Sequence, residues 1–258
     1  MEILLVIPSS QRGTIIQKKT LSYLRKVKSK FKRVIVVDNI VEKNLYKSIN
    51  PDETIVDCGG QYGIGMKRKW IRDTYSKTHR YIISMDDDID NLFIAKNKKE
   101  VVEVGIDNFD ELIISFFKKT EEENAHLWGI SPYKNPYFAS ETSTYLKKIC
   151  GGVHGYINDG IEDRLNNILP AHGEDYENTL LYFLEDNKVI RFNKVLILSK
   201  FYRPNGGLYS YYNNNEERNM AALDALAYLE ATYPDMCKLI IKHDGKPDLR
   251  LNYKFTTM

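Results

Sequence analysis

The run Tyr81-Ile82-Ile83-Ser84-Met85-Asp86-Asp87-Asp88-Ile89-Asp90 passes from an apolar, β-prone segment straight into a cluster of carboxylates. Like charges gathered at the tip of a buried element repel one another and cost stability unless positive charge is held there. A divalent cation supplies that charge. Side chains alternate along an extended segment, so Asp86 and Asp88 point one way and Asp87 the other, and two carboxylates converge on one hard ion. Three aspartates taken alone also read as a solvated acidic turn. The sequence around them decides.

Upstream, short apolar runs alternate with helical patterns: Ile3 to Ile7, a basic helix, Val34 to Asp38, a polar segment, Thr54 to Val56, a Gly-rich turn with its helix, and Tyr81 to Met85. Such alternation predicts an α/β fold of the Rossmann type, a mainly parallel sheet flanked by helices. Ligands of open sheets collect beyond the carboxyl ends of the strands. Those ends carry Pro8-Ser9-Ser10-Gln11-Arg12, Asp38-Asn39 and Asp86-Asp87-Asp88, which are expected to line one crevice.

Downstream, Asp107 is a candidate N-cap for a helix with Phe109, Leu112, Ile113, Phe116 and Phe117 at helical spacing. Leu127 to Pro132, Cys150 to Ile157 and Val195 to Leu198 read as strands. His172-Gly173-Glu174-Asp175 opens a helix, and a last helix from about Glu217 to Tyr233 is stopped by Pro234. No repeat or linker divides the 258 residues. One domain is expected, residues 1–258, with a first half to about 105 and an elaborated second half from about 106.

An apolar fraction of 43%, a charged fraction of 28% and a net charge of +2 describe an ordinary soluble globular chain. Between Lys18 and Arg33 lie eight basic residues and no acid. They form either a track for phosphates or the wet face of a helix whose Leu21, Leu24, Val27 and Phe31 face the core. Cys58, Cys150 and Cys237 are odd in number and lack metal-type spacing, which argues for a reducing compartment, with the cytoplasm as the default. No run approaches the roughly 18 apolar residues of a membrane span. The N-terminus enters a core strand without a signal-peptide pattern, so neither a membrane nor an obligatory protein partner is expected.

The cluster Gly59-Gly60-Gln61-Tyr62-Gly63-Ile64-Gly65-Met66-Lys67-Arg68-Lys69 lacks the third glycine of the dinucleotide fingerprint and is not a P-loop. It offers a turn feeding a helix with Lys67, Arg68, Lys69 and Arg72, suited to a base or diphosphate, or else a basic surface helix.

In this order, over roughly residues 3 to 185, the pieces resemble the nucleotide-sugar-dependent glycosyltransferases of the GT-A fold. The resemblance implies that Pro8, Ser9 and Arg12 surround the nucleoside and that Asp38 lies near the base. Gly63 and Arg68 belong to the donor-side turn. Asp86 lies near ribose and metal, and Asp88 ligates Mn²⁺ or Mg²⁺ on the diphosphate of the donor, a UDP-sugar being expected. Glu174-Asp175 carries the catalytic base of an inverting reaction, with Asp175 preferred; a helix N-terminus favours the ionised carboxylate such a base needs. Apart from the resemblance, His172 is a candidate metal ligand or acceptor contact, His154 lies in a Gly-rich turn and His243 is a candidate late-arriving ligand, each of the three reading otherwise as a polar loop residue. Arg203, in the loop Arg203-Pro204-Asn205-Gly206-Gly207, either closes over the diphosphate or belongs to a plain connector. Arg68-Lys69-Trp70 departs from the Arg-Asn pair of many members, which leaves the nucleotide open. The Gln-x-x-Arg-Trp signature of processive synthases is missing, which implies a non-processive transferase.

The triple Asp, the small format and the Gly-Gly loop are similar to the TET-associated glycosyltransferases, which modify hydroxymethylated DNA bases in phages and some protists. That resemblance gives the basic run and Tyr209, Tyr211 and Tyr212 a use as phosphate contacts and stacking surfaces beside an extruded base. Against it, +2 is a low charge for a duplex binder. A surface glycan or other hydroxyl compound is the competing acceptor. Two readings come from other classes: a nucleotidyltransferase, whose Gly-rich loop directly follows the first strand, and a binding module without turnover.

Overall fold

The computed structural model describes residues 1–61, 63–106, 108–199, 207 and 212–256. The Asp107 cap, Arg203 and the tyrosines 209 and 211 lie outside the described residues. The expected alternation is present. Strands β1 (Ile3–Pro8), β2 (Lys32–Val37), β3 (Ile55–Asp57) and β4 (Tyr81–Met85) are separated by α1 (Gly13–Lys18), α2 (Thr20–Lys26), α3 (Ile40–Ile49) and α4 (Ile64–Tyr75). Then follow β5 (Ile89–Ala95), β6 (Val101–Glu103), α5 (Phe109–Glu122), β7 (Leu127–Ser131), β8 (Val153–Ile157), α6 (Glu174–Asp186), β9 (Ile190–Ser199), α7 (Asn215–Thr232) and the hairpin β10 (Cys237–Ile241) with β11 (Pro247–Leu251).

Nine strands form one sheet in the order β3-β2-β1-β4-β8-β7-β9-β5-β6. The four N-terminal strands are parallel to one another. Beyond them β8 is antiparallel to β4 and β7, β7 and β9 are parallel, and β5 is antiparallel to β9 and β6. Burial on both faces explains why β1 is apolar throughout. Leu5 and Ile7 pack under α1, α2, α3 and α5 with Ile16, Leu21, Tyr46 and Phe116. Leu4 and Val6 pack on the other face with Ile71, Leu180, Phe183 and Leu229. All three cysteines are free. No helix among the described residues is long and apolar enough to cross a membrane.

The basic segment is two helices, not one. Its backbone leaves the helical region at Lys19 (φ −111°, ψ −98°), which turns Thr20 inward. There the fully buried Thr20 hydroxyl donates to the Asp86 carbonyl at 2.7 Å and accepts from Ile89 N at 3.0 Å. Leu21, Leu24 and Val27 are buried as their spacing predicts, while Phe31 lies past the helix and is half-buried. Half of the run's charges meet acids of the same chain: Lys19 meets Asp90, Arg25 and Arg33 meet Glu53, and Lys26 meets Glu103.

Candidate active site

The tips of β1, β2 and β4 stand side by side, with Val6 paired to Ser84 and Pro8 to Val36. Their polar loops are joined by buried contacts. Asp87 is a buried structural anchor: Ser9 Oγ donates to it at 2.5 Å and Arg12 Nη1 at 3.0 Å. The Tyr46 hydroxyl from α3 completes the set, lying 2.8 Å from Ser9 Oγ and accepting from Arg12 N at 2.7 Å. Asp38 accepts from Ser10 Oγ at 2.6 Å and pairs with Lys67 at 2.6 Å. The Lys67 ammonium, fully withdrawn from water, also donates to the Ser9 carbonyl at 2.6 Å. Breaking such a buried pair leaves an uncompensated charge, so Lys67 fixes the position of the β1 and β2 tips.

Two glycines set where α4 begins. Gly63 has φ +84°, and a Cβ there would sit 2.2 Å from the Pro170 carbonyl oxygen; at Gly65 it would sit 2.0 Å from that of Leu169. Bare backbone therefore lets the chain before α6 lie on the first turn of α4, where Gly65 N donates to Pro170 O at 2.8 Å. The next cations turn inward or find partners of their own. Arg72 donates to Asn167 and to the Leu165 carbonyl, each at 2.6 Å, and Lys69 pairs with Asp73.

Arg68 joins the two groups of acids. Its guanidinium lies 2.7 Å from Asp86, donates to the Gly151 carbonyl at 3.0 Å, and pairs with Glu174 at the start of α6. Gly151 admits it, since a Cβ there would fall 2.1 Å from the guanidinium. Burial pushes the Glu174 carboxyl up to about 7, with Arg68 opposing and Asp175 and Asp86 adding to the rise. Removing Arg68 leaves two acids facing one another without compensation, which for a buried pair costs about 3–5 kcal/mol. Arg68→Ala is therefore expected to melt roughly 6–20 °C below the parent chain, at 2–4 °C per kcal/mol. Arg68→Ala combined with Glu174→Gln is expected to recover part of that loss. Thermal denaturation decides: a single variant that melts with the parent removes the guanidinium from this role.

Asp88 is held differently. Ser199 Oγ donates to it at 2.9 Å and Arg12 Nη1 stands off at 3.6 Å, with 22% of the side chain exposed. Burial first, and then the charges of Asp86 and Asp87, push its carboxyl up to about 6. Three carboxylates thus share two guanidinium groups, one of which Glu174 also uses. A hard divalent cation fits this excess of charge and its oxygen donors. Among the described residues no three His, Cys, Asp or Glu side chains gather as a metal cluster. Asp86 and Asp88 would hold the ion, with water and ligand oxygens filling its shell.

Asp175 lies on the open side of Glu174. Its carboxylate pairs with Lys148 at 2.9 Å and accepts from Tyr176 N at 3.0 Å, while Lys148 rests 3.7 Å from the Tyr176 ring centre. No sequence signal pointed to Lys148 beyond its position before the Gly151-Gly152 turn. His172 packs against Tyr212 with ring centres 5.3 Å apart and planes tilted by 34°, and its buried Nε2 has no hydrogen-bond partner among the described residues. Burial and the Arg218 charge lower it to about 4. His154 is buried behind Arg68, 3.2 Å from the Gly151 carbonyl, and burial and Arg68 push it down to about 3. His243 is exposed in the β10–β11 turn. From the Gly-Gly loop, Gly207 N donates to the Ser10 carbonyl at 3.0 Å, bringing that residue against Arg12.

Solved structures share this architecture. Glucosyl-3-phosphoglycerate synthase from Mycobacterium tuberculosis, in complex with Mn²⁺, UDP and phosphoglyceric acid, is 12% identical and superposes with a TM-score of 0.55 over 96% of this chain and 86% of its own. S. aureus TarS 1–349, in complex with UDP-GlcNAc, is also 12% identical, with a TM-score of 0.53 over 91% of this chain and 74% of its own. At such identities the likeness establishes the fold. No curated protein matches the chain in sequence. The family model of the TET-associated glycosyltransferases matches residues 3–202. Spanning β1 to the end of β9 and both groups of acids, that match makes the chain a glycosyltransferase and a member of the TET-associated glycosyltransferase family.

Proposed function

We propose that this glycosyltransferase takes a sugar from a nucleoside-diphosphate donor, of the UDP type, and transfers it with inversion to the hydroxymethyl group of a modified pyrimidine in DNA. The observation that carries the reading is the Arg68 bridge, which sets the metal-side acid Asp86 beside the acids that open α6. Mn²⁺ and UDP in the M. tuberculosis structure, and UDP-GlcNAc in the S. aureus one, support the donor and the cation. The family's description supports the DNA acceptor.

In this reading residues 1–258 act as one cytoplasmic domain, the first half holding the donor and the second the acceptor. The loop of Pro8, Ser9 and Arg12, with Asp38 braced by Lys67, holds the nucleoside. Asp86 and Asp88 hold Mn²⁺ or Mg²⁺, which when bound offsets the charge growing on the departing diphosphate. Asp175 takes the proton of the attacking hydroxyl as its oxygen bonds to the anomeric carbon and the bond to the diphosphate breaks.

The test supplies the chain with Mn²⁺, a panel of UDP-sugars, and duplexes with and without hydroxymethylated pyrimidines. Mass spectrometry is expected to find one sugar added per modified base and none on the plain duplex. Addition to both duplexes, or to neither, would overturn the DNA acceptor and return the glycan or small hydroxyl compound to first place.

A further inference from the structure

We infer that the segment between β7 and β8 is a docking platform for a polynucleotide strand, an inference that rests on the DNA-acceptor reading. Gly129 pairs with His154 and Met85 with Val153, so β7 ends and β8 begins at the same rim as Asp86. The connecting segment leaves and rejoins the sheet beside the candidate site, and Lys148 near its end pairs with Asp175.

At the crest of this segment, in the helical turn Pro136–Phe138, Tyr137 is 63% and Phe138 75% exposed. Their rings lie 5.2 Å apart at 89°, offering two faces in different directions. Nothing in their own packing requires apolar rings there. The turn is held from beneath: Asn135 accepts from Tyr137 N at 3.1 Å, and Asn193 of β9 donates to Glu141 O and Ser143 Oγ, each at 2.6 Å. A cation borders the rings: Lys98 Nζ lies 5.7 Å from the Tyr137 ring centre. Lys134, exposed two residues before the turn, rests over the buried Phe93 ring of β5 at 3.6 Å.

Exposed rings that stack bases, bordered by ammonium groups that follow phosphates, are the pattern of sequence-tolerant single-strand binding. A neutral glycan would use the rings but gain nothing from the lysines, and a protein surface would bury the rings in a pocket. The geometry favours a strand of DNA several nucleotides long, its bases stacked on Tyr137 and Phe138 beside Lys98, which lies beyond the end of β5 remote from Asp88, while one modified base further along reaches the rim.

The test measures binding of a fluorescent single-stranded oligonucleotide carrying one hydroxymethyl pyrimidine, and sugar transfer to it. Y137A/F138A is expected to lose about 10–100-fold in affinity, the size of one to two stacked bases, with diphosphate release from donor and water unchanged. An abasic strand of equal length is expected to bind parent and variant alike, and Lys98→Gln with Lys134→Gln to flatten the salt dependence. A variant that keeps the parent's affinity while the parent modifies the strand overturns the platform and leaves the acceptor reading standing. A parent that binds the strand but modifies neither it nor the hydroxymethylated duplex, with a variant that loses binding, supports the platform and removes the acceptor reading. A parent that does not bind the strand removes the platform, and one that also fails to modify the hydroxymethylated duplex removes both.

Discussion

Asp88→Asn is expected to lower sugar transfer roughly 10³-fold, the scale of one lost electrostatic contribution to a leaving group. The same change is expected to make the metal-free chain harder to melt at neutral pH. Both follow from one geometry. Asp88 sits beside two other carboxylates with a hydroxyl and a distant guanidinium for company, and its carboxyl is raised to about 6, above the roughly 4 of an unfolded aspartate. Between those values the folded chain holds the extra proton, so stability falls as pH rises from about 4 to about 6 and stays lower above. Asparagine carries no charge and escapes that loss. Since a cation must bind the ionised form, Mn²⁺ is expected to raise the melting temperature more at pH 7 than at pH 5, and not at all in Asp88→Asn. An Asp88→Asn chain still stabilised by Mn²⁺ would remove Asp88 from the metal site.

Asp175→Asn is expected to lower transfer by roughly 10²–10⁴-fold, the range of a lost general base, with donor affinity unchanged. Arg68 and Glu174 stand between Asp86 and Asp175 in the line of ion pairs, so in the proposed arrangement the loss belongs to turnover rather than to donor binding. Lys148 loses its partner, but at 28% exposure it keeps access to water, and the melting temperature is expected to move by only a few degrees. Glu174→Gln has the opposite balance, because its buried carboxylate answers Arg68. Calorimetric titration of the UDP-sugar alongside single-turnover rates separates the two effects. A loss below tenfold in Asp175→Asn would pass the base to another group.

The parallel half of the fold was legible because β1, β2 and β4 are buried over most of their length and read as near-continuous apolar runs ending in polar tips. Strand β5 was hidden because Asp90 and Asn91 interrupt its apolar character just where it leaves the acid tip, and its pairing with β9 shifts register there. The break at Lys19 has no local signal either, since it exists to bring Thr20 to Asp86, 66 positions away. Asp86, Asp88, Glu174 and Asp175 were visible as clusters, but the contacts that organise them were not. Arg68 reaches Glu174 across 106 positions and Lys67 reaches Ser9 across 58, separations that leave no periodicity to read.

The glycines at the head of α4 have a mechanical consequence. With Gly63 and Gly65 in backbone contact with residues 169 and 170, and Arg68 tied to Glu174, parting α4 from α6 would break the backbone contact and the ion pair together. The entry of a bulky acceptor cannot be accommodated by prising those helices apart.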